Sequence, residues 1–591
     1  MSLSIASSIA YSSLMTIETQ MSVTSSNISN ADTTGYTNKV ANQVATVTAG
    51  VGTGTTISSI SSNVDQLLLK SLVNATSELG EANTTNNYAS ELEELYGSTS
   101  SDSSSSDDGT SLASTLATLE SAVSSLESAD SSDTDLSSVV EALDNVASQL
   151  RETSSSIQEL RSDADQGISS AVDEVNSALD DINSLNQQIV AAKAAGQSTA
   201  DLEDQRNTDL QTIANDMNVS YFVNSSGAMQ IYTASGTALL DSQVHALSYQ
   251  SVGTVTSDTT YTAGSSSGFS AITVNGEDIT SQITSGTIGA LITQRDDTLP
   301  AAQSELDELA GNLIDALNAV SNEGTSSPPP SSLTGSVSVS SSDSFSGTGT
   351  VRIAVTDSSG DLVSYEDLDL SDYSTVGEVV SAINGISGLS ASINSSGNLV
   401  ISTTDSDDGV AINEMDSSVG SSDEGFSDYF GLNDLLTGSD ATDIAVRSDI
   451  LSDPSLIGTS QLSSSSSLTA GANVVSGGTA IADDLYTALT ASTSFASAGG
   501  LGKVDTSFAE YAADIVANIA AASSTATSNY NTAETTQSSL SSTMSSESGV
   551  NVDQETALLS TLQNQYSAAS EILSIINAMY NDLTTMVADS L

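Results

Sequence analysis

The stretch from Leu3 to Tyr36, LSIASSIAYSSLMTIETQMSVTSSNISNADTTGY, decides the fold of this chain. Its apolar residues recur at alternating steps of four and three, which places them on one stripe of a helix and repeats the seam of a coiled coil. The stripe consists of Ala10, Leu14, Ile17, Met21, Thr24 and Ile28. The run from Asn27 to Tyr36 is predicted to end the helix, because its short polar side chains hydrogen-bond locally and Gly35 can adopt a positive φ.

The other end of the chain, Asp553 to Leu591, carries the same pattern over four heptads. Its stripe consists of Leu559, Leu562, Tyr566, Ala569, Leu573, Ile576, Tyr580, Leu583 and Val587. At about 1.5 Å per residue this helix is about 58 Å long, and it is apolar on one face only. Isolated helices gain most of their stability by packing that face. We therefore expect the two ends to pair with each other, with neighbouring subunits, or both.

The composition excludes several classes of partner. The chain has 591 residues, room for three or more domains, and its 10 Lys and Arg against 75 Asp and Glu give a net charge of −65. Nucleic acid and anionic membranes both favour basic surfaces, so neither is predicted as a partner. The acidic residues lie in the middle, in runs such as Asp102 to Asp108, whereas residues 1–60 carry only Glu18, Asp32 and Lys39. We interpret the acidic middle as a solvated outer surface; adaptation to a salty medium and ion binding are the alternatives.

The chain contains no cysteine, which excludes disulfides and thiolate metal sites. No apolar run near the N-terminus approaches the length found in a cleaved secretory signal, and no segment has the roughly 18 apolar residues of a membrane span. Membrane insertion is not predicted. If the protein is secreted, we expect it to use another export route.

Two motifs at the chain ends resemble one family. Ser26-Asn27-Ile28-Ser29-Asn30, followed by Thr34-Gly35-Tyr36, is similar to the N-terminal signature of the flagellar axial proteins, which form rod, hook and hook-associated structures. Ser548 to Glu555, followed by Leu562-Gln563-Asn564-Gln565-Tyr566, resembles their C-terminal helix. The resemblance implies secretion through the flagellar type III exporter. It also implies that both ends form an axial assembly interface, which includes Asn27, Asn30, Gly35 and Tyr36. An export chaperone is expected to bind the C-terminal stripe as well.

Segments in the middle resemble the hook-associated junction members of that family in particular. They are Leu185 to Ile189, with an Asn-Gln pair, Asp201 to Asn207, with an Asp-Gln-Arg run, and Phe426 to Asp434. The resemblance implies a ring-like homo-oligomer at the hook–filament junction, with hook protein and a second junction protein as neighbours. Residues 331–425 hardly resemble the family at all.

The remaining patterns predict the domain order. Axial helices at 1–36 and 553–591 enclose a helical bundle domain at 37–327, an inserted β-rich domain at 328–450 and a return to the helical domain at 451–552. Within the bundle, seams run from Leu112 to Leu126, from Leu136 to Leu150 and from Ile157 to Ile189, and a β element lies near 219–290. The triplet Pro328 to Pro330 marks the boundary of the insertion. The Ser and Asp run from Ser98 to Ser111 is predicted to be a flexible loop.

Reactive groups are sparse, so no catalytic, cofactor or metal site is predicted. His245 is the single histidine, which excludes zinc motifs of the His-Glu-x-x-His type. Gly264 to Gly268 matches the hydrolase nucleophile elbow only formally, because it lies in a serine-rich turn rather than between a strand and a helix. Asp405, Asp407 and Asp408 resemble a calcium loop loosely, without the spacing of an EF-hand.

The sequence thus predicts an elongated α+β multidomain protein with paired coiled-coil-like terminal helices, a long helical bundle domain with a small β element, and an inserted β-rich outer domain. Its predicted function is structural: a junction subunit of the bacterial flagellum rather than an enzyme. Another axial protein such as hook protein, and an acidic secreted surface adhesin, are the alternatives. The long helical block disfavours hook protein, and the matched terminal seams disfavour an adhesin.

Overall fold

The computed structural model describes residues 3–48, 50–97, 111–127, 132–265 and 267–589, which form an α+β structure with long helices at both ends. The α-helices, in chain order, are α1 (Leu3–Ser29), α2 (Gln66–Tyr96), α3 (Leu112–Leu126), α4 (Asp133–Ala194), α5 (Ala200–Asp216), α6 (Gly286–Thr293), α7 (Leu299–Ser321), α8 (Val376–Ile383), α9 (Phe426–Phe430), α10 (Ser448–Ser452), α11 (Ala480–Thr490), α12 (Phe508–Ser548) and α13 (Val552–Asp589). Across these described ranges, no helix has the length and apolar character needed to cross a membrane.

The named strands pair antiparallel. They are β1 (Lys39–Thr48), β2 (Val51–Ser62), β3 (Val219–Val223), β4 (Met229–Thr233), β5 (Ala238–Leu240), β6 (Leu247–Ser248), β7 (Thr273–Val274), β8 (Glu277–Asp278), β9 (Ser332–Ser338), β10 (Gly347–Thr348), β11 (Thr350–Asp357), β12 (Leu362–Asp369), β13 (Leu389–Ile393), β14 (Asn398–Thr403), β15 (Asp408–Asn413), β16 (Ser418–Val419), β17 (Leu436–Thr437), β18 (Ala445–Val446), β19 (Ser460–Leu462), β20 (Val475–Gly477), β21 (Thr493–Phe495) and β22 (Val504–Thr506). Sheets of three strands have the orders β3-β4-β5, β6-β7-β8, β12-β11-β15 and β13-β14-β9, whereas β1 and β2 form a hairpin by themselves.

Helix α4 organises the helical region. It is 62 residues long, which corresponds to about 93 Å, and a capping box of Ser132 and Asp135 begins it. Its first half shares a core with α3, α7, α11 and α12, and its second half shares another with α2, α5, α6 and strands β4 to β7. The seams ending at Leu150 and beginning at Ile157 therefore lie on one helix. No glycine or proline between them interrupts it.

The short strands β3 to β8 form the β element of the helical region. The turn residues Asn224 to Gly227 and Asn275-Gly276 predict hairpin turns in the sequence. In the structure, β3 and β4 pair around the first of these turns, and Asn275 and Gly276 connect β7 to β8 with φ angles of 54° and 82°. Positive φ at both central residues is the geometry of the tightest hairpin turns. These strands are short because they cover the second half of α4 rather than form a separate layer.

The β-rich region follows α7 and has a core of its own. Strands β9, β11, β13, β14 and β15 and helix α8 enclose this core, and α9 closes it with Phe426 and Phe430, both fully buried. Outside it, β19 and β20 contribute Leu462 and Val475 to a smaller cluster with residues of β11, β12 and β15. For this region the sequence pattern predicts a short helix at Val376–Ile383 and strands at Val351–Val355, Leu389–Ile393 and Leu399–Ile401. All four are present, and α8 has the predicted bounds.

The predicted loop from Ser98 to Ser111 lies outside the described residues apart from Ser111, and so does the acidic run from Asp102 to Asp108. Ser266, in the centre of the elbow-like stretch, also lies outside them. The division of the chain at residues 328, 451 and 553 stays a prediction.

Candidate functional site: the terminal helices and their loop

Helices α1 and α13 pack against each other along their apolar stripes. The buried residues of this seam are Ala10, Ile17, Leu562, Ala569 and Ile576. Leu14, Met21, Ile28, Leu559, Leu573 and Tyr580 are half-buried. Ile17 contacts the cluster formed with Leu562 and Ala569, and these three have exposed fractions of only 6%, 4% and 8%. The two ends of the chain therefore pair within one subunit.

The two helices run antiparallel. Asn38, in the loop after α1, donates its backbone N–H to Ser548 O over 2.7 Å and its side-chain Nδ2 to Glu555 Oε1 over 3.1 Å. The end of α1 thus lies beside the beginning of α13. Because Ile17 is level with Leu562 and Ala569, the first described turn of α1 reaches about the level of Tyr580.

Three predicted residues of the C-terminal stripe lie outside the seam. Leu583 and Val587 are 55% and 54% exposed, because they lie beyond the level that Leu3 reaches, and Tyr566 is 40% exposed at the rim. These side chains remain accessible to another molecule. That the stripe serves assembly and chaperone binding stays a prediction.

Asn27 fixes the loop to the end of α1. Its Nδ2 donates to Lys39 O over 2.9 Å, and its Oδ1 accepts from Lys39 N over 3.1 Å and from the Tyr36 hydroxyl over 3.0 Å. Asn27 is only 1% exposed, so both polar ends of its amide are satisfied inside the protein. Asn30, by contrast, donates Nδ2 to Ser26 O over 2.9 Å on the surface and terminates the helix locally.

Gly35 brings the loop close to α5. Its φ is +79°, and a Cβ built at this position would lie 2.6 Å from Thr208 Oγ1. Both the conformation and the close approach require glycine. The glycine of the axial motif therefore determines how closely the loop packs on the helical region.

A buried ion pair ties the same loop to α5. Lys39 Nζ contacts Asp204 Oδ2, and the exposed fractions of these residues are 5% and 6%. Asp204 also accepts from Thr37 N over 2.9 Å and from Thr37 Oγ1 over 2.7 Å. Lys39 Nζ donates further to Ala200 O over 3.3 Å. The lysine thus meets its charge partner and its remaining hydrogen-bond acceptors within one small cluster.

The sequence interpretation did not include Thr37, Lys39 or Asp204 among the site residues. One signal was present: Lys39 is the single basic residue among the first 60, directly after the loop motif. The sequence does not indicate the partner of this lysine, because the partner lies on α5, 165 positions away, and is brought close only by the fold.

The two middle segments that resemble the hook-associated members meet each other. Arg206 Nη1 donates to Asn186 Oδ1 over 3.2 Å and to Gly227 O over 2.8 Å. Asn186 Nδ2 donates to Met229 O over 2.9 Å and Asn186 Oδ1 accepts from Met229 N over 2.8 Å. These residues hold the hairpin of β3 and β4 against α4 and α5, so their role is structural.

The third segment, Phe426 to Asp434, surrounds the end of α7. Asn322 Oδ1 accepts from Ser427 Oγ and from Asn433 N, each over 2.9 Å, and Asn322 Nδ2 donates to Asp434 Oδ1 over 2.7 Å. Burial, reinforced by the nearby charge of Asp434, raises the pKa of Asp428 to about 6. This cluster attaches the β-rich region to the helical region and contains unfavourable negative charge.

A cleft of about 630 Å³ lies beside the loop, between residues 31–37, the start of α2, helix α5 and the end of α12. The ionisable side chains among its lining residues are Asp32, Tyr36, Glu174 and Asp204, and Asp204 is already paired with Lys39. Within the described parts of the chain, no three His, Asp or Glu side chains come together as a metal site. The cleft therefore provides a polar surface at the junction of the terminal helices with the helical region.

Two family models and one solved structure are similar to parts of this chain or to most of it. Residues 98–329 match the family model described as the flagellar hook-associated protein FlgK helical domain, and residues 9–37 match that of the flagella basal body rod proteins. A solved structure of the flagellar hook junction protein FlgK from Burkholderia pseudomallei is 15% identical, with a TM-score of 0.47 over 80% of this chain and 98% of that chain. No curated protein matches the chain significantly.

The rod-family match, residues 9–37, covers most of α1 and the loop that follows it, so this part of the chain is similar to flagellar axial proteins. Residues 98–329, which include α3 to α7, are similar to the helical domain of the flagellar hook-associated protein FlgK. Both family models describe structural parts of the bacterial flagellum.

Proposed function

We propose that the chain joins hook to filament by forming a ring of identical subunits through α1 and α13. The observation that carries this proposal is a second apolar stripe on α13. Ile572, Ile575 and Met579 lie beside the seam on the same helix and are 53%, 52% and 50% exposed. Apolar residues three and four positions apart form a continuous strip on a helix, and such a strip is stabilised when another surface covers it.

Helix α1 offers a smaller surface of the same kind. Tyr11 and Met15 are four positions apart and are 60% and 50% exposed. The helix pair is thus apolar inside and also has apolar strips outside. This double character suits an element that folds within one subunit and packs against further subunits in a tubular wall.

The other proposed partners follow from this position. Hook protein and a second junction protein would contact the ring on its two sides, and an export chaperone would cover the C-terminal stripe before assembly. The exposed Leu583 and Val587 at the end of α13 support chaperone binding, since they leave apolar surface at the tip of the free chain. We further propose that the chain has no catalytic role, that it leaves the cell through the flagellar exporter, and that the β-rich region at 328–450 faces outward.

Deletion of the gene tests the junction role. We expect hooks without filaments, with flagellin released into the medium, and restoration of filaments by the wild-type gene supplied separately. Immunogold labelling of the complemented strain should place the chain at the distal end of the hook. Filaments of normal length in the deletion strain would contradict the proposal. Label along the whole hook would indicate hook protein instead, and label over the cell body would indicate a surface adhesin.

A further inference from the structure

The hairpin of β1 and β2 has an unusual surface. Its strands are 10 and 12 residues long and pair with each other alone. Exposed strand edges are usually protected by charged residues or proline. Residues 40–64 contain neither, although the chain as a whole has 75 acidic residues. The hairpin is therefore a long, uncharged, two-stranded arm on a strongly acidic protein.

One face of the hairpin is turned toward the protein. Thr55 N donates to Ser12 Oγ over 3.3 Å, and Thr16 Oγ1 donates to Thr55 O over 3.3 Å, so α1 supports β2 directly. Ile57 and Ile60 are half-buried opposite Gln43 and Ala41. These contacts fix the orientation of the arm on α1.

The opposite face carries three valines. Val40 and Val44 lie on the same side of β1, and Val51 shares that side because its cross-strand partner is Thr48. Their exposed fractions are 47%, 44% and 50%. Asn42 and Thr46 lie between the valines on the same side of β1, so this side is an uncharged strip that carries separated, exposed valines; we call it the valine face.

Charge indicates what covers this strip. Residues 1–64 contribute a net charge of only −1 to the total of −65, so almost all of the negative charge lies elsewhere on each copy. Two copies repel each other wherever their acidic surfaces approach, and at physiological salt this repulsion extends about 8 Å. A basic partner would instead bind the acidic surfaces. The uncharged valine face is thus a surface through which two copies can meet without this repulsion.

We infer that the valine face of each subunit packs against a neighbouring copy of this chain in the assembled ring. The inference rests on the proposed self-assembly and adds a specific contact surface to it. The hairpin lies directly against α1, so this interface is continuous with the terminal helix pair.

Photo-cross-linking in intact flagella tests the contact. A benzophenone amino acid replaces Val44 in one variant and Val363 in a matched control, where Val363 is a strand valine of the β-rich region that is 47% exposed. Illumination should convert the variant at position 44 to a covalent dimer of twice 59.9 kDa, and the control should stay monomeric. A product containing a different protein, or no product at position 44, would overturn the inference.

A charge substitution gives the second readout. Val44→Asp and Val363→Asp each add one negative charge at an exposed strand valine, so both should fold and be exported alike. We expect Val44→Asp to reduce the number of filaments per cell about tenfold and Val363→Asp to leave it unchanged. Equal filament numbers would overturn the valine-face inference. The junction role would still stand if immunogold places wild-type chain at the hook tip, and would itself fail if it does not.

Discussion

Replacing Lys39 by methionine removes the positive charge from the buried cluster that ties the axial loop to α5. Asp204 then stays buried, 6% exposed, without its ionic partner. Breaking one side of a buried pair costs about 3–5 kcal/mol. Two hydrogen bonds from Thr37 to the carboxylate remain, at 2.9 and 2.7 Å, so we expect the lower end of that range, about 3 kcal/mol.

Hydrogen exchange measured by mass spectrometry is the appropriate assay, because a chain with several cores does not unfold in a single two-state step. A loss of about 3 kcal/mol corresponds to roughly 100-fold faster exchange of amides that open with the loop. We expect this acceleration in peptides covering residues 27–39 and 200–208. Lys70→Met, a change at an exposed lysine of α2, is the control and should leave these peptides unaffected.

A double variant makes the test sharper. Lys39→Met combined with Asp204→Leu removes both charges, so it should recover part of the protection that Lys39→Met alone loses. Two results would refute the conclusion that the Lys39–Asp204 ion pair holds the loop against α5. One is equal exchange in Lys39→Met and Lys70→Met. The other is a strictly additive double variant.

Gly35→Ala should destabilise the loop by about 1–3 kcal/mol, because the φ of Gly35 is +79° and the new Cβ would meet Thr208 Oγ1. Faster hydrogen exchange of residues 31–37 would show this destabilisation. Unchanged exchange would contradict the requirement for glycine at this position. Ile576→Asp places a charge in the seam, where Ile576 is 7% exposed, so it should cost about 2–5 kcal/mol and release α1 in the free chain. The neighbouring substitution Ile575→Asp changes a residue that is 52% exposed, so it should leave the helix pair intact and impair ring assembly. Identical hydrogen exchange of α1 in the two variants would mean that the seam is assigned wrongly. Burial raises the pKa of Asp428 to about 6, above the unfolded value, so the contribution of this carboxyl to stability should fall as pH rises from about 4 to 6. The variant Asp428→Asn should therefore be more stable than wild type by about 1 kcal/mol at pH 7, after solvent screening, and equal to it at pH 4. Thermal denaturation in which the difference between the two proteins does not change with pH would contradict this account.

The local patterns of the sequence predicted the terminal helices, the seams of the bundle helices and the turns of two hairpins. A seam repeats at fixed spacing because a helix has a fixed period, so α1 and α13 could be read from their apolar residues alone. Asn224 to Gly227 and Asn275-Gly276 indicated turns, because glycine and asparagine are among the few residues that readily adopt positive φ. Asn27, Gly35 and Tyr36 likewise stood out as a motif, and the structure shows why they occur together: they close one loop against one helix.

Tertiary structure decided which of these residues meet. Nothing in the spacing of Lys39 and Asp204 indicates a pair, since 165 positions separate them, and the fold of α5 against the loop brings them together. The periodicity of α13 likewise predicted one stripe, yet the antiparallel overlap with α1 decides that Ile576 is buried while Leu583 is exposed. It also leaves Ile572, Ile575 and Met579 uncovered. A period specifies which residues share a face, but only the packing of distant segments determines which faces are covered and which remain free for a partner.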